Sequence, residues 1–204
     1  MTTLPLARYR SALETYIDAK DNTRAERIAE VFAPDAVLTF SLATSNIAFP
    51  ARTMGTAAIA RTLVSDFGAQ YAQCRTYYVC DSLAVVEDEI EALPWLVVMR
   101  EPARQALRVG HGVYRWTFGS AEATAEATLV SAFHIHIARM DVVPDPDGGL
   151  LAALQEGLSY PWLAPVELRK HFEALAGTIP ALGFVRDFAE PAMPAAPFVS
   201  SSSA

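Results

Sequence analysis

Two histidines one residue apart, His134 and His136, have a spacing suited to chemistry. On one face of a β-strand such a pair can begin a metal site, but zinc and iron sites take three or more protein ligands. Of the other two histidines, His111 could approach from a neighbouring strand and His171 lies in a late helix. We therefore predict no metal and no other cofactor. We predict that His134 titrates near neutral pH; the alternative is two polar residues that face water.

Arg139 and Asp141 form a second candidate pair on the same strand. Because strand residues alternate between two faces, these two side chains share one face. If that face is inward, Asp141 could act as a base held by Arg139. The arginine would keep the pKa of the carboxyl low, which suits the positioning of water better than proton abstraction. The alternative is an exposed ion pair near a strand end.

The composition limits the class of protein. The 204 residues carry a formal net charge of -7 and are 52% hydrophobic, which supplies a core and gives no basic surface for nucleic acid. The longest apolar run, Leu93–Met99, is much shorter than the ~20 residues that cross a bilayer. Two cysteines, Cys74 and Cys80, do not make a disulfide framework. We predict a soluble, cytoplasmic protein with no nucleic-acid or membrane partner.

The hydrophobic periodicity predicts helices first and strands afterwards. A helix is predicted over residues 5–20, Thr23 and Glu26 suggest a capping box for a second, and Gly55 opens a third. Strands are predicted at Ala36–Phe40, Cys74–Asp81, Ile90–Arg100, Leu107–Phe118, Ala123–His134 and Ile137–Val143. Short breaks between consecutive strands indicate an antiparallel sheet. This order of elements predicts an α+β fold.

The remainder of the chain differs in composition. We predict a first domain over residues 1–145 and a C-terminal helical extension over residues 146–204, with helices near 150–158 and 165–175. Beyond these helices the chain is rich in Pro, Ala and Ser, yet it is too apolar for a solvated tail. We expect it to lie against the domain or a partner subunit.

Two short motifs carry a family resemblance. They are F-x-x-D-A at Phe32–Ala36, entering a strand, and G-x-x-x-I at Gly55–Ile59, opening a helix. With the later strands Gly112–Phe118 and Ile137–Met140, the chain over about residues 8–145 resembles the nuclear transport factor 2-like superfamily, which includes ketosteroid isomerases and SnoaL-like cyclases. The resemblance implies a curved antiparallel sheet wrapped on three N-terminal helices, forming a cone with an internal pocket. It also implies a homodimer formed through the outer sheet face.

The resemblance also implies roles for single residues. Tyr16 matches the isomerase tyrosine that donates a hydrogen bond to the developing enolate oxygen. Phe40 occupies the position of the isomerase base, and Leu129 that of the second donor, so that isomerisation cannot occur here. The resemblance places a hairpin turn between Phe133 and Ile137, which would contain both central histidines. The alternative for Tyr16 is a core residue.

These observations lead to two hypotheses. In the first, the protein binds a small apolar molecule in the cone and could perform acid–base chemistry of the isomerase, cyclase, dehydratase or hydratase type. In the second, its own aromatic rings fill the cone and it serves as a dimerisation or partner-binding module. A pocket above about 300 Å³ would favour the first. We predict Tyr16, Asp141 and His134 as catalytic residues, and as ligand-binding residues Phe40, Tyr78, Trp95, Trp116, Leu129 and Arg139.

Overall fold

The computed structural model describes residues 6–119 and 129–193. Its helices are α1 (Leu6–Asp21), α2 (Thr56–Ala60), α3 (Asp66–Gly68), α4 (Gly149–Gln155) and α5 (Pro165–Thr178), with a π-helical turn at Arg61–Ser65 joining α2 to α3. Three 3-10 helices lie at Ala25–Glu30, Pro102–Arg104 and Pro180–Phe188. The strands are β1 (Phe32–Leu42), β2 (Arg52–Met54), β3 (Ala72–Val79), β4 (Glu89–Glu101), β5 (Ala106–Phe118), β6 (Val130–Pro144) and β7 (Trp162–Leu163).

Helix α1 lies against the sheet through one continuous buried side. Its buried residues recur mainly at three- and four-residue intervals: Tyr9, Leu13, Tyr16, Ile17, Ala19 and Lys20. Residues four apart on a helix lie on the same side, one above the other. Tyr16 and Lys20 are therefore buried together, one turn apart.

The seven strands form one curved open sheet, in the order β2-β1-β6-β5-β4-β3-β7. Strands β3, β4, β5 and β6 pair with one another in antiparallel fashion, and the α+β class is confirmed. Two pairings at the sides of the sheet are parallel, however: β1 with β6, and β3 with β7. These strands come from distant parts of the chain, so the short connections that enforce an antiparallel hairpin do not apply to them.

Each face of the sheet carries a packed layer of buried side chains. The concave layer packs against α1 and the α2–α3 segment and is rich in rings, such as Tyr16, Tyr114 and Trp116. The convex layer packs against α4, α5 and the last 3-10 helix and is mostly aliphatic. Strand β4 contributes to both, because alternate residues face opposite ways: Val97 belongs to the concave layer, and Leu96 and Val98 belong to the convex layer.

The predicted hairpin turn at the central histidines is wrong. Strand β6 continues through His134 and His136, and its concave side is formed by Phe133, Ile135 and Ile137. This period-two apolar pattern keeps the strand paired with β5, so the chain has no reason to turn there. The beginning of the predicted strand Ala123–His134 lies outside the described residues, which resume at 129.

Two predicted helix starts have different outcomes. Thr23 does not cap a helix: its φ is 57°, and the short 3-10 helix Ala25–Glu30 begins without a side-chain cap. Gly55 precedes α2 with a φ of 83° and donates its N–H to the Ala36 carbonyl at 2.8 Å. That positive φ favours glycine, which explains the first position of the G-x-x-x-I motif.

The C-terminal extension, residues 146–193, covers part of the convex face. Buried side chains of α4 and α5, such as Leu154 and Phe172, belong to the same layer as Val98 and Val109 of the sheet. Phe188 packs against the His111 ring, with centroids 4.8 Å apart. The expectation that this apolar segment lies against the domain holds for its described part, and residues 194–204 lie outside it.

Candidate functional site

A small cavity lies in the concave layer between α1 and strands β4, β5 and β6. Its volume is about 40 Å³, and one water needs roughly 10–15 Å³ by the same kind of measure. The walls are mostly apolar and include Phe40, Trp95 and Met140, while α1 contributes Tyr16 and Lys20. The cavity is thus large enough for a few waters and has its polar groups at the α1 side.

Two glycines on the concave side of β5 leave room for the cavity-lining side chains of Trp95 and Met140. A Cβ atom at Gly112 would lie 1.9 Å from the His136 carbonyl oxygen and 2.8 Å from the Trp95 ring. At Gly110 it would lie 2.4 Å from the terminal methyl of Met140. Trp95 and Met140 both line the cavity, so their positions depend on the missing side chains of β5.

Two buried polar atoms of residues that line the cavity have no hydrogen-bond partner among the described residues, the Tyr16 hydroxyl and the Trp95 indole nitrogen. Tyr16 is fully buried, and by distance and angle its hydroxyl makes no hydrogen bond among the described residues. The Tyr114 hydroxyl lies close enough to act as a donor toward the Tyr16 oxygen, which leaves the Tyr16 proton without an acceptor. Burial raises the pKa of Tyr16 well above that of a free phenol, although the Lys20 charge and the nearby Tyr114 phenol oppose the change. Tyr16 is therefore a protonated hydroxyl that lines an apolar cavity and can still donate a hydrogen bond.

Lys20, one helical turn further on, is a buried cation with a full set of acceptors. Its ammonium donates to Asp21 at 2.8 Å, to the Thr76 hydroxyl at 2.7 Å and to the Cys74 sulfur at 3.3 Å. Burial disfavours the charged form, but the charges and hydrogen bond of its neighbours outweigh burial, with Asp21 first among them, and the pKa of Lys20 is raised. Lys20 therefore keeps its proton.

Asp21 connects this polar end of the cavity to the C-terminal extension. Its carboxylate accepts from the Thr76 N–H at 2.6 Å and the Thr76 hydroxyl at 2.9 Å. It also accepts from the Tyr160 hydroxyl at 3.0 Å. Tyr160 belongs to the extension, 139 residues along the chain, so two distant segments hold one buried carboxylate.

Two of the predicted ligand-binding aromatic residues, Phe40 and Trp95, line the cavity. Phe40 stacks on Phe49 with centroids 4.4 Å apart and planes inclined by 3°. Trp95 stacks on Tyr114 at 5.2 Å. Flat rings therefore form much of the cavity wall.

The other aromatic candidates have structural positions in the concave layer. The Tyr78 hydroxyl donates to the Leu13 carbonyl at 2.9 Å, and Trp116 stacks on Phe133 with centroids 3.7 Å apart. Neither Tyr78 nor Trp116 lines the cavity. Leu129 lines a separate open groove on the surface, so it cannot contact a ligand in the cavity.

The mouth of the cavity is formed by Ile47, Phe49 and Phe67. These three residues also line a second, outer cavity of about 180 Å³. The loop that carries Ile47 and Phe49 is fixed by Asn46, which donates to the Met140 carbonyl at 2.5 Å and whose own carbonyl accepts from Arg108 at 2.7 Å. The apolar side chains of Ile47, Phe49 and Phe67 therefore form a partition between the outer cavity and the inner one.

Solved structures with the same architecture share little sequence with this chain. LinA is similar at 14% identity and a TM-score of 0.54, over 67% of this chain and 88% of LinA. A nuclear transport factor 2-like superfamily protein from Salmonella enterica serovar Typhimurium has 11% identity and a TM-score of 0.50, over 74% of this chain and 95% of that protein. The chain has the nuclear transport factor 2-like fold.

Another match is the hexachlorocyclohexane dehydrochlorinase LinA-type3 from Novosphingobium barchaimii, at 13% identity and a TM-score of 0.51, over 67% of this chain and 88% of that one. No protein-family model and no curated protein matches the sequence. At these identities the similarity establishes the nuclear transport factor 2-like fold alone.

Within this fold, the candidate pair Arg139 and Asp141 of β6 lies on the convex face. Asp141 accepts two hydrogen bonds from Arg139, both at 2.9 Å. Arg139 also pairs with Asp187 and lies over the Phe188 ring, both in the extension. The pair is thus a partly exposed ion pair that joins the sheet to the extension, the alternative given above, and it cannot act with Tyr16 on one ligand.

His134 also lies on the convex face. Its two ring nitrogens are 2.7 Å from the Thr39 hydroxyl and 2.9 Å from the Ser41 hydroxyl. Burial, together with His136 and Arg115, lowers the pKa of His134. The sheet separates this imidazole from the Tyr16 hydroxyl.

Among the described residues, no group of three or more His, Cys, Asp or Glu is placed to hold a metal ion.

The sequence interpretation missed Lys20 and Asp21. A lysine one turn after Tyr16 on the buried side of α1 was the available signal, because a buried lysine needs a partner. No helix in the described part of the chain has the length and apolar character needed to span a bilayer.

Proposed function

We propose that the protein binds a small, mostly apolar molecule in the concave cavity, with the Tyr16 hydroxyl as its hydrogen-bond donor. The observation that carries the proposal is this buried hydroxyl without a partner, at an unfilled apolar space. A buried polar group without a partner costs about 1–3 kcal/mol. A ligand with one acceptor oxygen would remove that cost and fill the space.

The size of the cavity limits the ligand. At about 40 Å³, the inner cavity is far below the roughly 300 Å³ of common ligand pockets. A larger ligand must displace the partition of Ile47, Phe49 and Phe67 and extend into the outer cavity. Phe49 is only partly buried and lies in a loop, so its ring is the part of this partition that can move.

The polar groups support binding more directly than acid–base catalysis. Tyr16 and Lys20 both keep their protons, so neither can act as a base. No carboxylate or imidazole is among the residues that line the cavity, and a proton abstraction needs a base within reach of the ligand. The structurally similar dehydrochlorinase is named for a small apolar ring, which is consistent with the ligand class proposed.

The second hypothesis, a filled cone that serves as an interaction module, is favoured by the small cavity volume. In that case a second copy would pair through the convex face, as expected for a homodimer. The extension covers β3, β4 and one end of β5 on that face. The remaining surface, around His134 and Arg115, would have to form the contact.

A direct test is to titrate the isotopically labelled protein with small ketones and to follow the Trp95 indole resonance by NMR. Ligand binding in the cavity should shift this resonance and leave that of Trp162, outside the cavity, unchanged. Tyr16→Phe should weaken binding about five- to tenfold, because it removes the donor. If ketones and hydrocarbons of different sizes all leave Trp95 unshifted, the interaction module becomes the better interpretation.

A further inference from the structure

We infer that the cavity selects a neutral oxygen acceptor over a carboxylate, and that Tyr160 of the C-terminal extension is a positioning residue for this selection. This inference rests on the proposed function, since it concerns the ligand of the same cavity. The observation behind it is the Lys20–Asp21 pair and its contact with Tyr160.

Lys20 offers no hydrogen bond to a ligand in this arrangement. An ammonium group has three N–H donors, and three acceptors surround it: Asp21, the Thr76 hydroxyl and the Cys74 sulfur. Its other near contact is the Phe67 ring, 4.6 Å from the nitrogen to the ring centroid. Among the α1 groups at the cavity, the Tyr16 hydroxyl is therefore the one with a proton to donate.

The charge of Lys20 is also balanced. Its side chain is 8% exposed and that of Asp21 is 2% exposed, so the two opposite charges are buried side by side and their fields largely cancel at the cavity. A carboxylate placed there would be an uncompensated buried charge, with only neutral donors such as the Tyr16 phenol to bind it. Such a charge is strongly disfavoured, whereas a ketone or aldehyde oxygen needs a single donor.

The position of Asp21 depends on the extension. Tyr160 donates to the carboxylate oxygen that also receives the Thr76 N–H, which leaves the other oxygen for Lys20 and the Thr76 hydroxyl. Without the Tyr160 hydroxyl, Asp21 loses a partner and becomes freer to turn away from Lys20. The positive charge at the cavity would then be less well balanced, and carboxylates would bind better.

The test uses three probes of one size and shape: acetophenone, benzoate and ethylbenzene. Dissociation constants are measured by NMR at pH 7.5 for the full chain and for the Phe49→Ala variant, which opens the mouth for these probes. We expect acetophenone to bind at least about tenfold more tightly than benzoate and severalfold more tightly than ethylbenzene. Equal or tighter binding of benzoate would overturn the selection.

Variants of the pair and of the extension complete the test. Asp21→Asn removes the balancing charge and should reverse the preference toward benzoate. Tyr160→Phe should lower the ratio of the two affinities about two- to threefold, a change in selectivity that general loosening would not produce. Trp162→Phe is the control: its indole binds Glu14 on α1 at 2.6 Å and does not touch Asp21, so the ratio should stay as in the unmodified chain.

The outcomes separate the two proposals. If none of the probes binds to either form of the protein, the proposed function fails and the selection fails with it. If acetophenone and ethylbenzene bind equally, a ligand site exists but the polar selection is overturned. If Asp21→Asn changes the ratio and Tyr160→Phe does not, the role of the extension is overturned. If Asp21→Asn does not fold, the Tyr160→Phe and Trp162→Phe ratios decide the inference by themselves.

Discussion

The concave and convex layers cover the two faces of one sheet, but they are built from different kinds of side chain. In the concave layer rigid rings meet edge to face: Tyr16 lies 5.1 Å from Trp116 and 5.3 Å from Phe133, centroid to centroid. In the convex layer flexible aliphatic side chains of the extension pack against valines and leucines of the sheet. Rings cannot change shape to fill a gap, and the glycines of β5 let Trp95 and Met140 pack directly against that strand. The comparison shows why the cavity described here lies on the concave side.

The largest expected effect is in the convex layer, at Phe172. This ring is fully buried, and Phe172→Ala should lower the free energy of unfolding by about 3–5 kcal/mol, through lost burial and the cavity left behind. Urea unfolding measures the effect. Val166→Ala on the same helix, at a residue 67% exposed, should change stability by less than about 0.5 kcal/mol. A loss below about 1 kcal/mol at Phe172 would mean that the extension is only loosely attached.

A comparable loss is expected in the concave layer at Gly112. The added methyl of Gly112→Ala would collide with backbone of β6 and with the Trp95 ring, so the variant should lose about 3 kcal/mol. The measurement is again the unfolding free energy, with the Trp95 resonance as a local probe. Gly177→Ala is the control, since apart from the adjoining backbone of its own helix nothing lies within 4 Å of its added methyl. Equal stability of the two variants would contradict the described packing of Trp95.

Acid should lower the stability of the fold through a histidine on the convex face, His111. Burial and Arg139 lower the pKa of His111 to about 4, whereas an unfolded histidine takes up a proton near pH 6.5. The lowered value favours the neutral ring in the folded state, so its stability contribution is present above pH 6.5 and is lost as the pH falls toward 4. The loss should be about 2 kcal/mol after allowance for partial exposure.

Unfolding measured between pH 4 and 7 tests this expectation. His111→Gln should flatten the decline, while His134 still contributes a smaller part because its pKa is lowered too. An unchanged pH dependence in the His111 variant would show that the titration lies elsewhere. Tyr16 and Lys20 should add nothing to the slope, since their raised pKa values keep both protonated throughout this range.

The smallest effects distinguish two tyrosines of the concave layer. Tyr78→Phe removes a hydroxyl bonded to the Leu13 carbonyl, and should lower the unfolding free energy by about 1 kcal/mol. Tyr16→Phe removes a hydroxyl without a partner, and should leave stability unchanged or raise it by about 1 kcal/mol. Thermal unfolding of the two variants side by side provides the measurement. A clear loss in Tyr16→Phe would show that its hydroxyl is already bonded inside the protein.

Parts of the fold and site could be predicted from the sequence because they depend on local patterns. The helical spacing of apolar residues placed Tyr16 on the buried side of α1, and β-branched and aromatic residues identified the strands that carry Phe40 and Trp95. Gly55 marked the start of α2. The turn predicted at His134 failed because it was taken from the resemblance, although the alternating pattern of the strand itself continued through it.

The sequence by itself determined which residues share a face, because side-chain direction follows from the period of the helix or strand. Only the tertiary structure decided which face α1 covers, and therefore that Arg139, Asp141 and His134 lie away from Tyr16. It also decided that Tyr160 meets Asp21, because contacts between segments 139 residues apart leave no periodic trace in the chain. The partners of a buried charge depend on packing in space, and a linear pattern does not contain that information.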